Sequence, residues 1–330
     1  MRIRFFFVLA IFALLVFGLV STGFAQEKIK IKLTHILADT HSWNEGAKKF
    51  AELISQKTKG RVEVSLFANA VLGDERQIVE GMMMGTGVEM AIISGSKMSQ
   101  FEISAGLPDM PFLFKNFDHV HKVMDSEPGA ELAKRLFDKT KLKTLGYFDQ
   151  GFRHIITISK QVKSIDDLKG LKIRVPDSPT YFQTFKFLGA NPTPIPWTEI
   201  YTSLQSKVVE GLEGSPETIY TTRLQEVTKY ITITNHIYSG ASFVVTDNFF
   251  KGLPKDIQDQ MVSAAKEATV YERQVVSSRD QDNLKKLKDA GMIVNEVDTI
   301  PMVKAVKPYV EDFAKKNKLV DVVEQISKMR

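Results

Sequence analysis

Two kinds of apolar spacing alternate along this chain, and that alternation restricts the fold more than any other feature of the sequence. Residues 29–33 and 61–67 alternate apolar with polar side chains, which is typical of half-buried strands. Between them, apolar residues over 42–58 recur at the spacing of one helix face. Strands that alternate with helices predict an α/β fold with largely parallel sheets.

Later parts of the chain continue this pattern. Residues 144–148 and 154–158 predict two strands on either side of residues 149–153, and residues 231–234 and 242–245 predict two more. Residues 254–330 show helical spacing almost throughout. Because no Gly/Ser linker separates two halves, we expect two lobes that are interleaved along the chain rather than joined in series.

Residues 1–25 have the layout of a secretory signal peptide. Two arginines precede an apolar run over 5–20, and small residues follow at Gly23 and Ala25. We therefore expect cleavage after Ala25 and export to the periplasm. The alternative is a single membrane anchor, which normally needs about 20 apolar residues.

The composition excludes several kinds of chemistry. The chain has no cysteine, which excludes disulfides, thiolate catalysis and cysteine metal sites. Its 44 basic and 39 acidic side chains are intermixed, so the net charge of +5 does not predict nucleic-acid binding. Motifs for a nucleophile elbow, a phosphate loop or a zinc protease are absent. His35 and His41 flank Asp39 at a spacing that fits no metal site. We predict no metal, no cofactor and no catalytic residue.

Two arginines are candidates for binding an anion. Arg174 is expected on a strand over 171–175, where a guanidinium can donate two parallel hydrogen bonds to a carboxylate. Arg153 follows Gly151 between two apolar runs, where a chance surface position is less expected. The residues alone leave open a solvent-exposed strand face for Arg174 and a structural ion pair for Arg153.

Glu213 is a third candidate. It lies among two glycines and a proline over residues 208–216, a composition that predicts a turn presenting the carboxylate into a cleft. There it would accept hydrogen bonds from a ligand or hold an arginine in place. A solvated loop is the alternative.

In their order along the chain, these motifs are similar to the solute-binding proteins of tripartite ATP-independent periplasmic (TRAP) transporters, the C4-dicarboxylate-binding type. The resemblance covers nearly all of the chain after residue 25. Its most specific parts are Gly-Phe-Arg-His at 151–154 and the run over 166–176, which ends in Lys-Ile-Arg-Val-Pro. Further matching stretches lie at 72–76, 87–91, 199–211 and 253–258.

The resemblance implies a two-lobed α/β periplasmic-binding-protein architecture with a ligand cleft between interleaved lobes. Residues 26–150 plus about 238–278 would form lobe I, and residues 151–237 plus about 279–330 would form lobe II. Arg174 occupies the position of the family's carboxylate-binding arginine, and Arg153 that of its second ligand-facing arginine. Glu75 matches an acid that reaches the cleft from the first lobe.

One motif departs from the family pattern. Where the family usually has Glu-Asn-Pro, this chain has Glu213-Gly214-Ser215-Pro216, so the ligand-contacting asparagine is missing. Ser215 or a water molecule is expected to take its place. Trp197 and Asp149 are further candidates for lining the cleft, with a packing role as the alternative for each.

The resemblance predicts a binding protein, not an enzyme, that captures a small organic carboxylate and delivers it to the small and large subunits of a TRAP membrane permease. A dicarboxylate, a sugar acid, a keto acid and an aromatic acid all fit two arginines. One alternative is the receptor of an ATP-driven importer. Another is an exported enzyme acting on organic acids, which would need a general acid and base near the arginines. We expect a monomer.

Overall fold

The structure is a computed structural model that describes residues 28–330. The predicted signal peptide over residues 1–25 lies outside the described residues. Within the described part, no helix has both the length and the apolar character needed to cross a bilayer. Helices surround one nine-stranded sheet, which confirms the prediction of an α/β fold.

The elements of the first part of the chain lie close to their predicted positions. The first helix buries Trp43, Ala47, Phe50 and Ile54, the residues whose spacing predicted one apolar face. In order, the elements are β1 (Ile29–Thr34), α1 (Ser42–Lys57), β2 (Val62–Phe67), α2 (Glu75–Met83), β3 (Met90–Ser94), α3 (Gly95–Met98), α4 (Phe117–Met124), α5 (Glu127–Thr140) and β4 (Leu142–Thr157).

The rest of the chain is built from shorter strands and helices, followed by a long helical tail. The elements are β5 (Lys172–Val175), α6 (Pro179–Phe187), β6 (Asn191–Pro194), α7 (Ile200–Gln205), β7 (Gly211–Gly214), α8 (Pro216–Thr221), β8 (Tyr230–Thr246), α9 (Asp247–Gly252), α10 (Lys255–Asp289), β9 (Ile293–Glu296), α11 (Ile300–Lys316) and α12 (Val320–Lys328). Short 3-10 helices lie at Ile103–Asp109, Ile165–Leu168, Trp197–Glu199 and Leu224–Glu226. The two prolines of β6 are tolerated because this strand lies at the edge of the sheet.

The prediction of four separate strands in the middle of the chain is wrong. Residues 144–148 and 154–157 both belong to β4, which has 16 residues, and residues 231–234 and 242–245 both belong to β8, which has 17. The pairing register of β4 with β8 shifts at three places along β4. Because each shift breaks the alternation of side chains between the two faces, the sequence pattern is typical of two short strands.

The prediction of largely parallel sheets holds for the outer strands but not for the centre, so the sheet is mixed. Its order is β2-β1-β3-β8-β4-β7-β5-β6, with β9 paired to β8. The outer pairs β1–β2, β1–β3, β5–β6 and β5–β7 are parallel, as expected for β/α units. In the centre, β8 is antiparallel to both β3 and β4, and β4 is antiparallel to β7. The long central strands therefore join two sets of β/α units.

The buried apolar residues of the described chain form four clusters. One cluster draws on residues 31–98, 136–148 and 241–268. Two others combine residues 155–237 with residues from 287–306. A fourth joins α4 and α5 to α11 and α12. The lobe boundaries expected at 150/151 and 237/238 fall inside β4 and β8, and the division of the chain into lobes remains a prediction.

The N-terminus of α1 is capped by a carboxylate from a distant part of the chain. The backbone N–H of Ser42 donates to Glu217 Oε1 at 3.2 Å, and its hydroxyl donates to Glu217 Oε2 at 2.7 Å. His41 Nδ1 accepts from the N–H of Trp43 at 3.2 Å. An anion at this end of a helix satisfies unpaired N–H groups and opposes the helix dipole. Glu217 thus links α8 to the N-terminus of α1.

We expect Glu217→Gln to lower the free energy of unfolding by about 1 kcal/mol, because the helix loses a charged cap. Urea denaturation at pH 7 measures the change. Glu324→Gln is the matched control, since Glu324 is an exposed helical glutamate. Equal stability of the two variants would show that Glu217 contributes nothing as a cap.

Candidate functional site

A cavity of about 170 Å³ lies where the two sets of β/α units face each other. Residues from α2, β3 and α3 form one side, and residues from β4, β5 and the segment after β6 form the other. Four of the seven predicted ligand-binding residues line it: Glu75, Arg153, Arg174 and Trp197. The cavity is the place where the structure brings the two candidate arginines together.

Arg174 contributes a buried guanidinium that lacks a carboxylate partner. It lies on β5 with 4% of its surface exposed, and its Nε and Nη2 both donate to the carbonyl oxygen of Ile195, at 3.0 and 2.8 Å. Within residues 28–330 it forms no salt bridge, and its Nη1 donates to no acceptor. Burial lowers the pKa of Arg174 to about 9, so the side chain still carries its charge at neutral pH. The solvent-exposed alternative for this residue is therefore wrong.

Arg153 is equally buried but is paired. Its Nη2 donates to Glu213 Oε1 at 2.7 Å and its Nε donates to Glu213 Oε2, which makes a two-pronged ion pair. Burial alone would lower the pKa of Arg153, but the carboxylate of Glu213 raises it above its usual value. In turn, burial would raise the pKa of Glu213, yet Arg153 lowers it to about 2. The guanidinium also lies over the ring of Tyr181, at 5.3 Å from its centre.

The predicted turn around Glu213 is wrong, because Glu213 lies on a strand. Residues Gly211–Gly214 form β7, which pairs with β4, and Glu213 is 1% exposed. A Cβ atom at Gly211 would come within 2.3 Å of the carbonyl oxygen of Ile156. The glycine that is typical of a turn thus serves the close approach of two strands.

Glu75 reaches the cavity from the first turn of α2, directly after the helix cap Asp74. Its two carboxylate oxygens accept from the backbone N–H and the hydroxyl of Ser94, both at 2.6 Å. Burial raises the pKa of Glu75, and the hydrogen bonds from Ser94 oppose that effect.

Lys97 and Gln150 also line the cavity, and neither was predicted. Lys97 Nζ lies 3.6 Å from a carboxylate oxygen of Asp177 across the cavity. A signal for Lys97 exists in the sequence, since ligands in α/β folds bind beyond the carboxyl ends of strands and Lys97 follows β3. Gln150 lies inside a strand, and no spacing rule singles it out.

Three predicted residues lie outside the lining of the cavity. Glu213 is behind Arg153, as described above. The hydroxyl of Ser215 donates to Thr218 Oγ1 at 2.9 Å. One carboxylate oxygen of Asp149 lies 2.7 Å from His121 Nε2 and the other accepts from the hydroxyl of Tyr238. Among residues 28–330, no cluster of three or more His, Asp or Glu side chains is arranged to hold a metal ion.

Comparison with known proteins gives a consistent picture. The family model for bacterial extracellular solute-binding proteins, family 7 (DctP), matches residues 33–317. The 2,3-diketo-L-gulonate-binding periplasmic protein YiaO of Escherichia coli is 34% identical over 262 residues, 79% of each chain. The sugar acid binding protein DctPAm from Advenella mimigardefordensis, solved in complex with galactonate, superposes with a TM-score of 0.88 at 30% identity. The superposition covers 92% of this chain and 99% of the other.

A TRAP periplasmic solute binding protein from Sulfurospirillum deleyianum, solved with bound succinate, superposes with a TM-score of 0.86 at 30% identity. That likeness covers 92% of this chain and 100% of the other. These likenesses confirm the predicted two-lobed periplasmic-binding-protein fold.

We expect Glu213→Gln to lower the free energy of unfolding at pH 7 by about 3 kcal/mol, because it leaves Arg153 as a buried charge with a weaker partner. The wild-type advantage should shrink as the pH falls from 4.5 toward 2, since the folded-state pKa of Glu213 is lowered from 4.5 to about 2. Urea denaturation at pH 7 and pH 3 measures both effects. Glu296→Gln, at an exposed strand glutamate, is the control. A pH-independent difference would contradict the ion-pair explanation.

Proposed function

We propose, since the chain belongs to family 7 of the bacterial extracellular solute-binding proteins, that its cavity holds a small organic carboxylate on Arg174. The chain is a solute-binding protein of the TRAP type. Proteins of this family are extracytoplasmic, bind small organic acids and work with TRAP membrane components. The family membership argues against the receptor of an ATP-driven importer.

The observation that carries the proposal is the unpaired guanidinium of Arg174. A buried cation without a counter-charge is unfavourable by several kcal/mol, even when it donates to a carbonyl oxygen. A carboxylate that enters the cavity would accept from the free Nη1 and compensate the charge. Arg153 lies in the same wall, where Glu213 pairs with it and holds it in place.

Binding without turnover is the mode of action that we propose. The relatives described above are binding proteins. Glu75 is the buried acid on the wall of the cavity, and both of its oxygens are already engaged by Ser94. An acid held in this way is poorly placed to exchange protons with a ligand. We propose further that the chain is exported by cleavage of residues 1–25, acts as a monomer in the periplasm and delivers its ligand to the small and large permease subunits.

A thermal-shift screen tests the carboxylate assignment. Ligands that bind only the folded state raise the melting temperature by mass action. We expect a rise with one class of small carboxylates among dicarboxylates, sugar acids, keto acids and aromatic acids, and none with the corresponding amides. If folded, ligand-free protein responds to no acid, the carboxylate proposal is overturned while the fold stands.

We expect Arg174→Lys to weaken binding of the best acid from that screen by roughly 2–3 kcal/mol, because lysine keeps the charge but cannot present a planar pair of donors. Isothermal titration calorimetry measures the affinity. Arg223→Lys is the control, since Arg223 is an exposed arginine with 77% of its side chain accessible. Equal affinity of the Arg174 variant and wild type would remove Arg174 from the site.

A further inference from the structure

Gln150 owes its position at the cavity to a β-bulge. Along the β4–β8 ladder, Asp149 pairs with Gly240 and Gly151 pairs with Ser239, so Gln150 is an extra residue without a partner. Gly151 has φ of +104°, a conformation that favours glycine. Side chains three residues apart on a regular strand point to opposite faces. The bulge removes that restriction and allows Gln150 to meet Arg153 on the cavity side.

The orientation of the Gln150 amide is fixed by its neighbours. Its Oε1 accepts from Arg153 Nη1 at 2.9 Å and from the hydroxyl of Ser239 at 2.8 Å. A guanidinium only donates hydrogen bonds, so the amide atom that faces Arg153 has to be the oxygen. The Nε2 group is therefore directed away from both donors. Among residues 28–330 this Nε2 group donates to no acceptor, although Gln150 lines the cavity and only 7% of its surface is exposed.

The charged side chains around the cavity indicate whether the ligand oxygen that accepts from this amide is charged or neutral. Every lining cation other than Arg174 has a carboxylate partner among the described residues, and these pairs are Arg153–Glu213, Lys97–Asp177 and Arg76–Glu80. One unpaired cation matches one carboxylate. A second carboxylate would find no free positive charge, so the remaining oxygens of a well-matched ligand are neutral.

We propose that Gln150 is a specificity-determining residue whose Nε2 donates to a neutral hydroxyl or carbonyl oxygen of a monocarboxylate bound to Arg174. This inference rests on the proposed function and specifies its ligand as a hydroxy or oxo monocarboxylate. The selectivity comes from a donor held in place before binding, which would be left without a partner by a ligand that lacks the oxygen. Glu213 is a positioning residue for this contact: it pairs with Arg153, and Arg153 in turn donates to the amide oxygen of Gln150.

Matched pairs of acids with equal charge test the proposal. The probes are lactate and propionate, gluconate and 2-deoxygluconate, malate and succinate, together with the best acid of the thermal-shift screen and its deoxy analogue. Calorimetry gives the affinity ratio within each pair for the wild type, Gln150→Met and the exposed control Gln325→Met. We expect the wild type and the control to prefer the oxygenated monocarboxylate by about tenfold, roughly the value of one hydrogen bond.

Gln150→Met should lose that preference while keeping a folded-state melting transition, because the thioether has no N–H to donate. A variant that binds but keeps the tenfold ratio overturns the role of Gln150 and leaves the proposed function intact. Tighter wild-type binding of malate or succinate than of every monocarboxylate overturns the ligand class alone. A wild type that binds no acid overturns the proposed function and this inference with it.

Discussion

Two guanidinium groups are buried in the wall of one small cavity, and only one of them is paired with a carboxylate. Removing a charge from water is unfavourable by several kcal/mol unless an opposite charge and well-placed hydrogen bonds compensate it. Arg153 obtains that compensation from Glu213 within the fold. Arg174 obtains only the carbonyl oxygen of Ile195. In our proposal the ligand supplies the missing charge, so the stability given up by the empty protein becomes affinity for an acid.

The arrangement depends on the long antiparallel strands at the centre of the sheet. Register shifts in β4 aim Gln150 and Arg153 toward the cavity, and the glycines of β7 allow that strand to approach β4 closely enough for Glu213 to reach Arg153. The same strands, β4 and β8, connect the two sets of β/α units. The groups that face the cavity are therefore positioned by the part of the sheet that both sides of the molecule share.

The sequence was sufficient where a single regular period governs an element. The spacing of Trp43, Ala47, Phe50 and Ile54 predicted α1 to within a residue, and the alternation around Arg174 predicted β5. Prediction from the sequence failed where the backbone is irregular. A bulge changes which face a side chain occupies without changing the composition, so one strand was interpreted as two and Gln150 carried no signal. At Glu213 the glycines have a tertiary cause, the close contact with Ile156, which no local pattern contains.

The two interpretations that the residues left open for Arg153 turn out not to exclude each other. It forms a structural ion pair with Glu213, and it also lines the cavity. An arginine tied in this way loses little further side-chain freedom when a ligand arrives, and its charge is largely balanced before binding. Arg174 shares the cavity but forms no salt bridge with Glu213, and burial still lowers its pKa, so the fold compensates its charge only in part. One buried acid therefore decides which arginine binds an anion and which holds other donors in place. Two arginines in the wall of one cavity need not imply two ligand carboxylates.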